Sequence, residues 1–333
     1  MSADSIPHPP DQSPRPRILV IRGGAIGDFI LTLPALALLR DAFPDAHVEI
    51  LGTRHIIALA EGRYYADATR SIEYAPMAGF FNPKSELDPE LCEYFASFGQ
   101  VISYLFDPDD FFKGNLERAG VRNLLVADPR VGDQLHAAHH LAAPLQRLAL
   151  FLENTAPDFF PTDEDLIAAR ARLPADSPTL IAVHPGSGDE RKNWPVDRWS
   201  CLLARISDDH PNAHILIVGG EADTPSLDSL RATLSELPAT FLVDLDLPVL
   251  GAVFSLCSAF LGHDSGVSHL AAATDCPSLL LFGPTDPAIW APQNENVRVL
   301  TAAHGSISDI SLDSAHAAAE ALLQDVIRAR QNA

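Results

Sequence analysis

The chain has 333 residues, of which 47% are hydrophobic, and a formal net charge of −21. This length exceeds what a single hydrophobic core usually supports, so two domains are expected. The acidic charge argues against a nucleic-acid partner, because such proteins need a basic surface that neutralises phosphates.

Residues 1–14 are rich in Pro, Ser and Asp and are predicted to form a disordered tail. This segment has no cationic region followed by an apolar one, so it does not resemble a secretory signal. No apolar stretch approaches the roughly 20 residues that span a bilayer. These features predict a cytoplasmic protein.

Strand and helix patterns alternate from residue 15 onward. In the first half, strands are predicted at Arg17–Arg22, His47–Leu51, Arg70–Tyr74, Val101–Phe106 and Asn123–Val126. Helices are predicted at Phe29–Phe43, Ile56–Ala60, Pro89–Phe98, Phe111–Ala119 and Gln134–Leu152. This alternation is typical of a parallel sheet.

The alternation resumes after a Pro-rich interruption and a short predicted helix at Glu164–Arg172. Strands are predicted at Thr179–Val183, His214–Val218, Thr240–Asp244, Phe260–Leu261 and Ser278–Phe282. Helices are predicted at Val196–Asp208, Leu227–Leu237, Val249–Ser258, Val267–Ala273 and Ser314–Arg330. The pattern indicates an α/β protein with two doubly wound, Rossmann-like domains, residues 15–165 and 175–312, followed by a C-terminal helical segment, residues 313–333.

Three glycine-bearing loops follow predicted strands, and ligands of such sheets bind at the carboxyl ends of the strands. The loop Leu261–Ala273 leads into a helix whose free N–H groups suit a diphosphate, although Asp264 could simply cap that helix. The loop Val183–Pro195 adds a cation, Lys192.

The first loop, Gly23–Asp28, resembles a dinucleotide-binding fingerprint but departs from it twice. Arg22 stands where the first glycine belongs, and no acid follows the second strand to hold an NAD ribose. Asp28 follows the glycine turn directly and is either a helix cap or a general base that accepts a proton from an acceptor hydroxyl.

Other residue patterns admit a metal ion or a ligand. Asp107-Pro-Asp109 matches the Asp-x-Asp pattern that holds Mn²⁺ or Mg²⁺, but Asp and Pro also start turns, which we favour. His136, His139 and His140 have helical spacing but lack an identifiable third ligand, so no metal site is predicted. An aromatic cluster either stacks on a sugar or lipid or packs the core, and we favour packing in the core. Its members are Phe80, Phe81, Tyr94, Phe95, Phe98, Phe111 and Phe112.

Three motifs in order resemble glycosyltransferase family 9, the heptosyltransferases. They begin at Ile18 (the run through Leu36), at His184 (His-Pro-Gly-Ser-Gly, then Lys192-Asn-Trp-Pro) and at Asp264 (Asp-Ser-Gly-Val-Ser-His). The resemblance runs from about residue 16 to the end, and Phe282–Pro287 closes it. It implies a GT-B fold, in which an N-terminal acceptor domain faces a C-terminal donor domain across a cleft. It also leaves room for the C-terminal helix to pack back toward the N-terminal domain.

The resemblance also implies roles for individual residues. Asp28 matches the catalytic base, with Gly24 and Gly27 in the acceptor-side loop. The remaining positions match the donor site: Ser187 and Gly188 in the phosphate loop, Lys192 at the phosphates, Glu221 at the ribose, Leu245 at the adenine, and Asp264, Ser265, Gly266 and His269 around the diphosphate. For Lys192, Glu221 and His269 the alternatives are a solvated lysine, a surface acid and a half-buried helix residue.

The resemblance implies inverting transfer of a heptose or related sugar, without metal or cofactor, from a nucleotide diphosphate donor such as ADP-heptose. The acceptor would be a lipopolysaccharide core or another glycan or lipid-linked molecule, with peripheral contact to the inner membrane. Two alternatives remain: a non-catalytic nucleotide-sugar-binding protein and a Rossmann-type NAD oxidoreductase. The acceptor, the sugar and the oligomeric state do not follow from the sequence.

Overall fold

A computed structural model of the protein describes residues 15–175, 179–235 and 237–332. The tail predicted at residues 1–14 lies outside the described residues. Within those ranges, no helix combines the length and the apolar character that a membrane span requires. The contacts between residues divide the chain into two compact units.

The first unit contains residues 15–25, 32–132 and 138–153. Its strands form a five-stranded parallel sheet in the order β3-β2-β1-β4-β5. The strands are β1 (Arg17–Arg22), β2 (His47–Gly52), β3 (Ala68–Ser71), β4 (Gln100–Ser103) and β5 (Leu124–Val126). The helices between residues 15 and 153 are α1 (Ile26–Ile30), α2 (Leu33–Ala42), α3 (Arg54–Ile57), α4 (Pro89–Ala96), α5 (Phe111–Arg118) and α6 (Ala137–Ala142), with 3₁₀ turns at Ala75–Phe81 and Ala143–Leu148. Of these, α1 belongs to the second unit.

The second unit contains the described residues between 154 and 332 and two short earlier segments, 26–31 and 133–137. Its six-stranded parallel sheet has the order β11-β10-β9-β6-β7-β8. The strands are β6 (Thr179–Val183), β7 (Ala213–Gly219), β8 (Ala239–Val243), β9 (Ala259–His263), β10 (Ser278–Phe282) and β11 (Val297–Thr301). The helices are α7 (Asp163–Arg170), α8 (Val196–Asp209), α9 (Thr224–Thr233), α10 (Leu247–Ser255), α11 (Gly266–Ala272), α12 (Pro287–Trp290) and α13 (Leu312–Asn332), with 3₁₀ turns at Glu190–Lys192, Glu221–Asp223 and Ile307–Asp309.

Two predicted helices are wrong in length. The helix predicted at Phe29–Phe43 is two helices, α1 and α2, because Pro34 in the first turn of α2 cannot continue a helix from α1. The helix predicted at Gln134–Leu152 is the short α6 followed by a 3₁₀ turn that contains Pro144. Strand β11 was not predicted.

The final helix, α13, packs within the second unit. It contacts α8 and the strands β9, β10 and β11. Ala315 and Ala319 on its inner face are fully buried, and Leu322 and Leu323 are nearly so. Small and branched apolar residues at helical spacing therefore attach the C-terminal segment to the sheet of this unit.

Most of the aromatic cluster packs the core of the first unit, as favoured. Phe80, Tyr94, Phe95, Phe98 and Phe112 are buried. Phe80 and Phe95 have ring centroids 4.9 Å apart, and Tyr94 meets Phe98 edge to face at 5.1 Å. The two remaining members, Phe81 and Phe111, are exposed.

Candidate active site at the start of helices α1 and α11

The glycine turn after β1 leads into the short helix that carries Asp28. Gly24 has φ = 95°, a left-handed conformation that glycine adopts readily. Helix α1 begins two residues later, and Asp28 lies in its first turn, partly exposed. The chain therefore turns sharply from β1 and presents a carboxylate within six residues of the strand.

Helix α1 packs directly against α11 inside the second unit. A Cβ atom added at Gly266 would lie only 2.8 Å from the Gly27 nitrogen and 2.8 Å from Ile26 Cβ. A Cβ at Gly27 would lie 3.3 Å from His269 Cδ2. Two glycines thus permit an approach that brings Asp28 to the start of α11.

Asp264 is a buried carboxylate held by two side chains. Its Oδ2 atom accepts hydrogen bonds from Lys192 Nζ at 2.7 Å and from Thr285 Oγ1 at 2.7 Å. The interpretation of Asp264 as a helix cap is wrong, because the N-cap of α11 is Ser265, whose Oγ accepts from the Ser268 N–H. Asp264 instead orients Lys192, whose side chain remains 24% exposed.

The loop between β6 and α8 places Lys192 at its end, in a 3₁₀ turn. Ser187 Oγ donates to the Asp189 carbonyl at 2.8 Å, and a Cβ at Gly188 would meet no atom within 4 Å. Trp194, just beyond, is buried and donates from Nε1 to the Ile310 carbonyl at 2.9 Å. The loop is therefore open at Gly188 and fixed at Trp194.

His269 is buried among the charged candidates. Burial lowers the pKa of His269 to about 4. The carboxylates of Asp264 and Asp28 oppose this decrease, whereas the positive charges of His136 and Lys192 add to it. The Nδ1 atom of His269 has no hydrogen-bond partner within the described part of the chain. The low pKa keeps the ring neutral at neutral pH.

Sequence reasoning missed a hydrogen-bonded chain beneath the phosphate loop. His184 Nε2 lies 3.2 Å from Asp223 Oδ2, and His184 Nδ1 lies 3.3 Å from Ser265 Oγ. The chain thus joins β6, the turn after β7 and the N-cap of α11. Gly186 allows this, since a Cβ there would lie 1.8 Å from Asp223 Oδ1. The His-Pro-Gly motif marks His184 in the sequence. Its partner Asp223 could not be identified, because it lies 39 residues further along the chain.

His263, which sequence reasoning did not identify as a functional residue, holds the loop between β6 and α8 in place. Its Nε2 atom accepts from the Trp194 N–H at 2.9 Å and from Trp199 Nε1 at 3.2 Å. Its Nδ1 atom lies 3.4 Å from the Gly186 carbonyl, to which it can donate. Burial lowers the pKa of His263 to about 3, consistent with a neutral ring that both accepts and donates.

Glu221 and Leu245 follow neighbouring strands, β7 and β8. Glu221 is exposed at the start of a 3₁₀ turn, and Leu245 is half-buried after Asp244, whose backbone N–H donates to the Gly219 carbonyl at 3.0 Å. The two predicted donor residues thus lie at the same edge of the second sheet, where the carboxyl ends of its strands meet.

Three of the residues considered as metal ligands, Asp107, His136 and His140, have local structural roles. Asp107 accepts from the backbone N–H groups of Phe112 and Lys113 at the start of α5, as its interpretation as a turn residue predicts. His136 Nε2 donates to the Ala291 carbonyl, and His140 Nε2 donates to the Asp128 carbonyl, both at 2.9 Å.

Solved structures similar to this chain have the GT-B fold. A glycosyl transferase family 9 protein from Veillonella parvula matches with a TM-score of 0.75 and 20% identity, covering 93% of this chain and 97% of that one. The ADP-heptose LPS heptosyltransferase II of E. coli matches with a TM-score of 0.71 and 18% identity, covering 93% and 99%. With its two parallel sheets, the protein is a GT-B protein, as predicted.

The family follows from the sequence itself. Residues 126–315 match the model of glycosyltransferase family 9 (heptosyltransferase). Lipopolysaccharide heptosyltransferase 3 of Escherichia coli is 21% identical over 300 residues, covering 81% of this chain and 84% of that protein. The chain belongs to glycosyltransferase family 9 and is a glycosyltransferase, which confirms the resemblance and shows that the oxidoreductase alternative is wrong.

Proposed function

We propose that the protein transfers a heptose, with inversion, from ADP-heptose to a lipopolysaccharide core or a related glycan. The observation that carries this proposal is the arrangement at the start of α11, where α1 brings Asp28 and where Lys192 pairs with Asp264 at 2.7 Å. A base, a cation and a neutral imidazole together suit the transfer of a sugar from a diphosphate. The names of the similar proteins, a lipopolysaccharide heptosyltransferase and an ADP-heptose LPS heptosyltransferase, support the choice of donor and acceptor.

In the proposed reaction, Asp28 accepts the proton of an acceptor hydroxyl as its oxygen attacks the anomeric carbon of the donor. The bond between that carbon and the diphosphate oxygen breaks, and the electron pair leaves with ADP. Lys192 stabilises the negative charge that develops on the diphosphate, and His269 borders the diphosphate as a neutral ring. Asp264, itself held by the Thr285 hydroxyl, holds the lysine in place before the donor binds.

The remaining donor residues complete the proposal. Ser187 and Gly188 are proposed to meet the phosphates, Ser265 and Gly266 to border the diphosphate, Glu221 to accept from the ribose hydroxyls, and Leu245 to line the adenine pocket. Gly24 and Gly27 are proposed to shape the acceptor-side turn. Because Lys192 supplies the positive charge at the leaving group, the proposed transfer needs no metal ion, and turnover should persist in a chelator.

The variant Asp28→Asn tests this mechanism. Turnover with ADP-heptose and truncated lipopolysaccharide cores should fall by ~10² or more, because the amide cannot accept the proton. The dissociation constant of ADP, measured by calorimetry, should stay unchanged.

Asp109→Asn is the matched control, since it also removes one exposed carboxylate, from the Asp-x-Asp pattern. It should keep wild-type turnover. Full activity in Asp28→Asn would contradict the role of Asp28 as the base. If the wild-type protein released no ADP from the donor with any lipopolysaccharide core, the non-catalytic alternative would be favoured.

A further inference from the structure

A cluster of histidine and carboxylate side chains joins α8 to α13, away from the candidate active site. His316 and Glu320 lie one helical turn apart on α13, and Asp209 is the last residue of α8. One nitrogen of His316 and one carboxylate oxygen of each acid all lie within 4.8 Å of one another. His316 Nε2 is 2.9 Å from Asp209 Oδ2.

A second histidine supports the cluster. His210, which caps the end of α8, places its Nε2 atom 2.9 Å from Glu320 Oε1. The side chains of Glu320 and His210 are 20% and 18% exposed, and that of Asp209 is 49% exposed. The group is thus partly enclosed by two packed helices and still open to solvent on the Asp209 side. A cavity of about 260 Å³ lined by Asp209 and His210 adjoins it.

We propose that Asp209, His316 and Glu320 bind one divalent transition-metal ion, with Zn²⁺ the best-matched choice. Two carboxylates and one imidazole are ligand types that suit Zn²⁺, whereas Mg²⁺ and Ca²⁺ prefer oxygen ligands alone. His210 orients Glu320 from outside the ligand set, as partners of metal ligands commonly do. Water fills the fourth position.

The fold separates this ion from the proposed transfer reaction. Lys192 precedes the start of α8, whereas Asp209 ends it, and a helix of 14 residues is about 21 Å long. The ion therefore takes no part in the proposed transfer, and it links the C-terminal helix to α8. The sequence analysis did not predict it, because His316 lies 107 residues beyond Asp209.

The test uses tag-free, chelator-treated full-length protein titrated with Zn²⁺ by calorimetry. We expect one ion to bind per chain, and the temperature of unfolding to rise when Zn²⁺ is added. His316→Ala should abolish this binding event. His210→Ala should weaken it by about 10–100-fold, as loss of a partner of a metal ligand usually does. Glu320→Gln, a milder change, provides the same test if His316→Ala folds poorly.

Arg205→Gln is the matched control. Arg205 on α8 pairs with Asp313 on α13 at 2.8 Å, so this variant removes an ion pair between the same two helices and leaves the proposed ligands intact. It should bind Zn²⁺ like the wild-type protein. Absence of stoichiometric Zn²⁺ binding in the wild-type protein, or undiminished binding in both His316→Ala and Glu320→Gln, would overturn the proposal. Co²⁺ spectra distinguish a competing site at the exposed Cys201, which would show a thiolate signal.

Discussion

Replacing Gly266 by alanine tests whether the contact between α1 and α11 positions Asp28. The added Cβ would lie 2.8 Å from both the Gly27 nitrogen and Ile26 Cβ. Carbon atoms pack best at about 3.5–4.0 Å, so the two helices would have to separate by roughly 1 Å. A misplacement of about 1 Å at a catalytic centre can lower the rate about 10²-fold. We therefore expect turnover in Gly266→Ala to fall by about this factor.

Folding should change much less than turnover. Inserting a methyl group into a packed contact costs about 1–3 kcal/mol, and part of this is offset because alanine favours a helix more than glycine does. Gly266 is the first residue of α11, and its φ lies outside the left-handed region, so the backbone accepts alanine. The expected result is a folded protein with a small loss in its free energy of unfolding.

The assay measures ADP released from ADP-heptose in the presence of acceptor, alongside the temperature of unfolding. Gly27→Ala should have an intermediate effect, because its Cβ would lie 3.3 Å from His269 Cδ2. Gly114→Ala is the control, since its Cβ would meet no atom within 4 Å. Wild-type turnover in a folded Gly266→Ala protein would refute the reasoning that this contact positions the base.

Two further predictions concern charge at the site. Lys192→Ala should raise the dissociation constant of ADP by about 10–100-fold, which is the loss expected for a charge-assisted hydrogen bond. Arg191→Ala changes an exposed neighbour that pairs with Asp189, and it should leave this constant unchanged. Equal constants for Lys192→Ala and the wild-type protein would remove the lysine from the site. Burial lowers the pKa of His263 to about 3, whereas a histidine in the unfolded chain has a pKa of about 6.5. At a pH between these two values the unfolded state binds one more proton than the folded state, so the free energy of unfolding decreases as the pH falls. Between pH 6.5 and 5.0 this histidine should account for a loss of about 2 kcal/mol, which His263→Gln should remove. The free energy of unfolding is measured by urea unfolding followed by tryptophan fluorescence, because all three tryptophans lie in the second unit. Equal pH dependence in the wild-type protein and in His263→Gln would contradict the prediction.

The sheets could be predicted from sequence because their central strands are continuous apolar runs. Residues Ile18–Ile21 of β1 and Leu279–Phe282 of β10 are almost fully buried, and such runs bounded by turns are typical of parallel strands. Strand β11 lacks this signal, since Arg298 interrupts it and Val299 is 38% exposed. Edge strands carry less burial, so they lack the continuous apolar run that identifies a central strand.

The site was predictable only where chemistry and loop position coincide. Asp28 and Lys192 stand beside glycines after buried strands, which identifies them without coordinates. The partners of Asp264 were not predictable, because an acid before a helix suits an N-cap equally well and only the fold brings Lys192 and Thr285 to it. The His184 and Asp223 pair was missed for the same reason: sequence separation hides a contact that two parallel strands create.

The shortness of α1 determines which unit contains Asp28. The chain leaves the first sheet after β1, contributes residues 26–31 to the second unit, and returns at Thr32. Pro34, by ending the helical path, permits this return. Asp28 therefore shares a compact unit with Lys192, Asp264 and His269, and contacts inside that unit fix the arrangement of base and cation. A continuous helix from Phe29 to Phe43, as the hydrophobic pattern alone predicts, would not make this excursion.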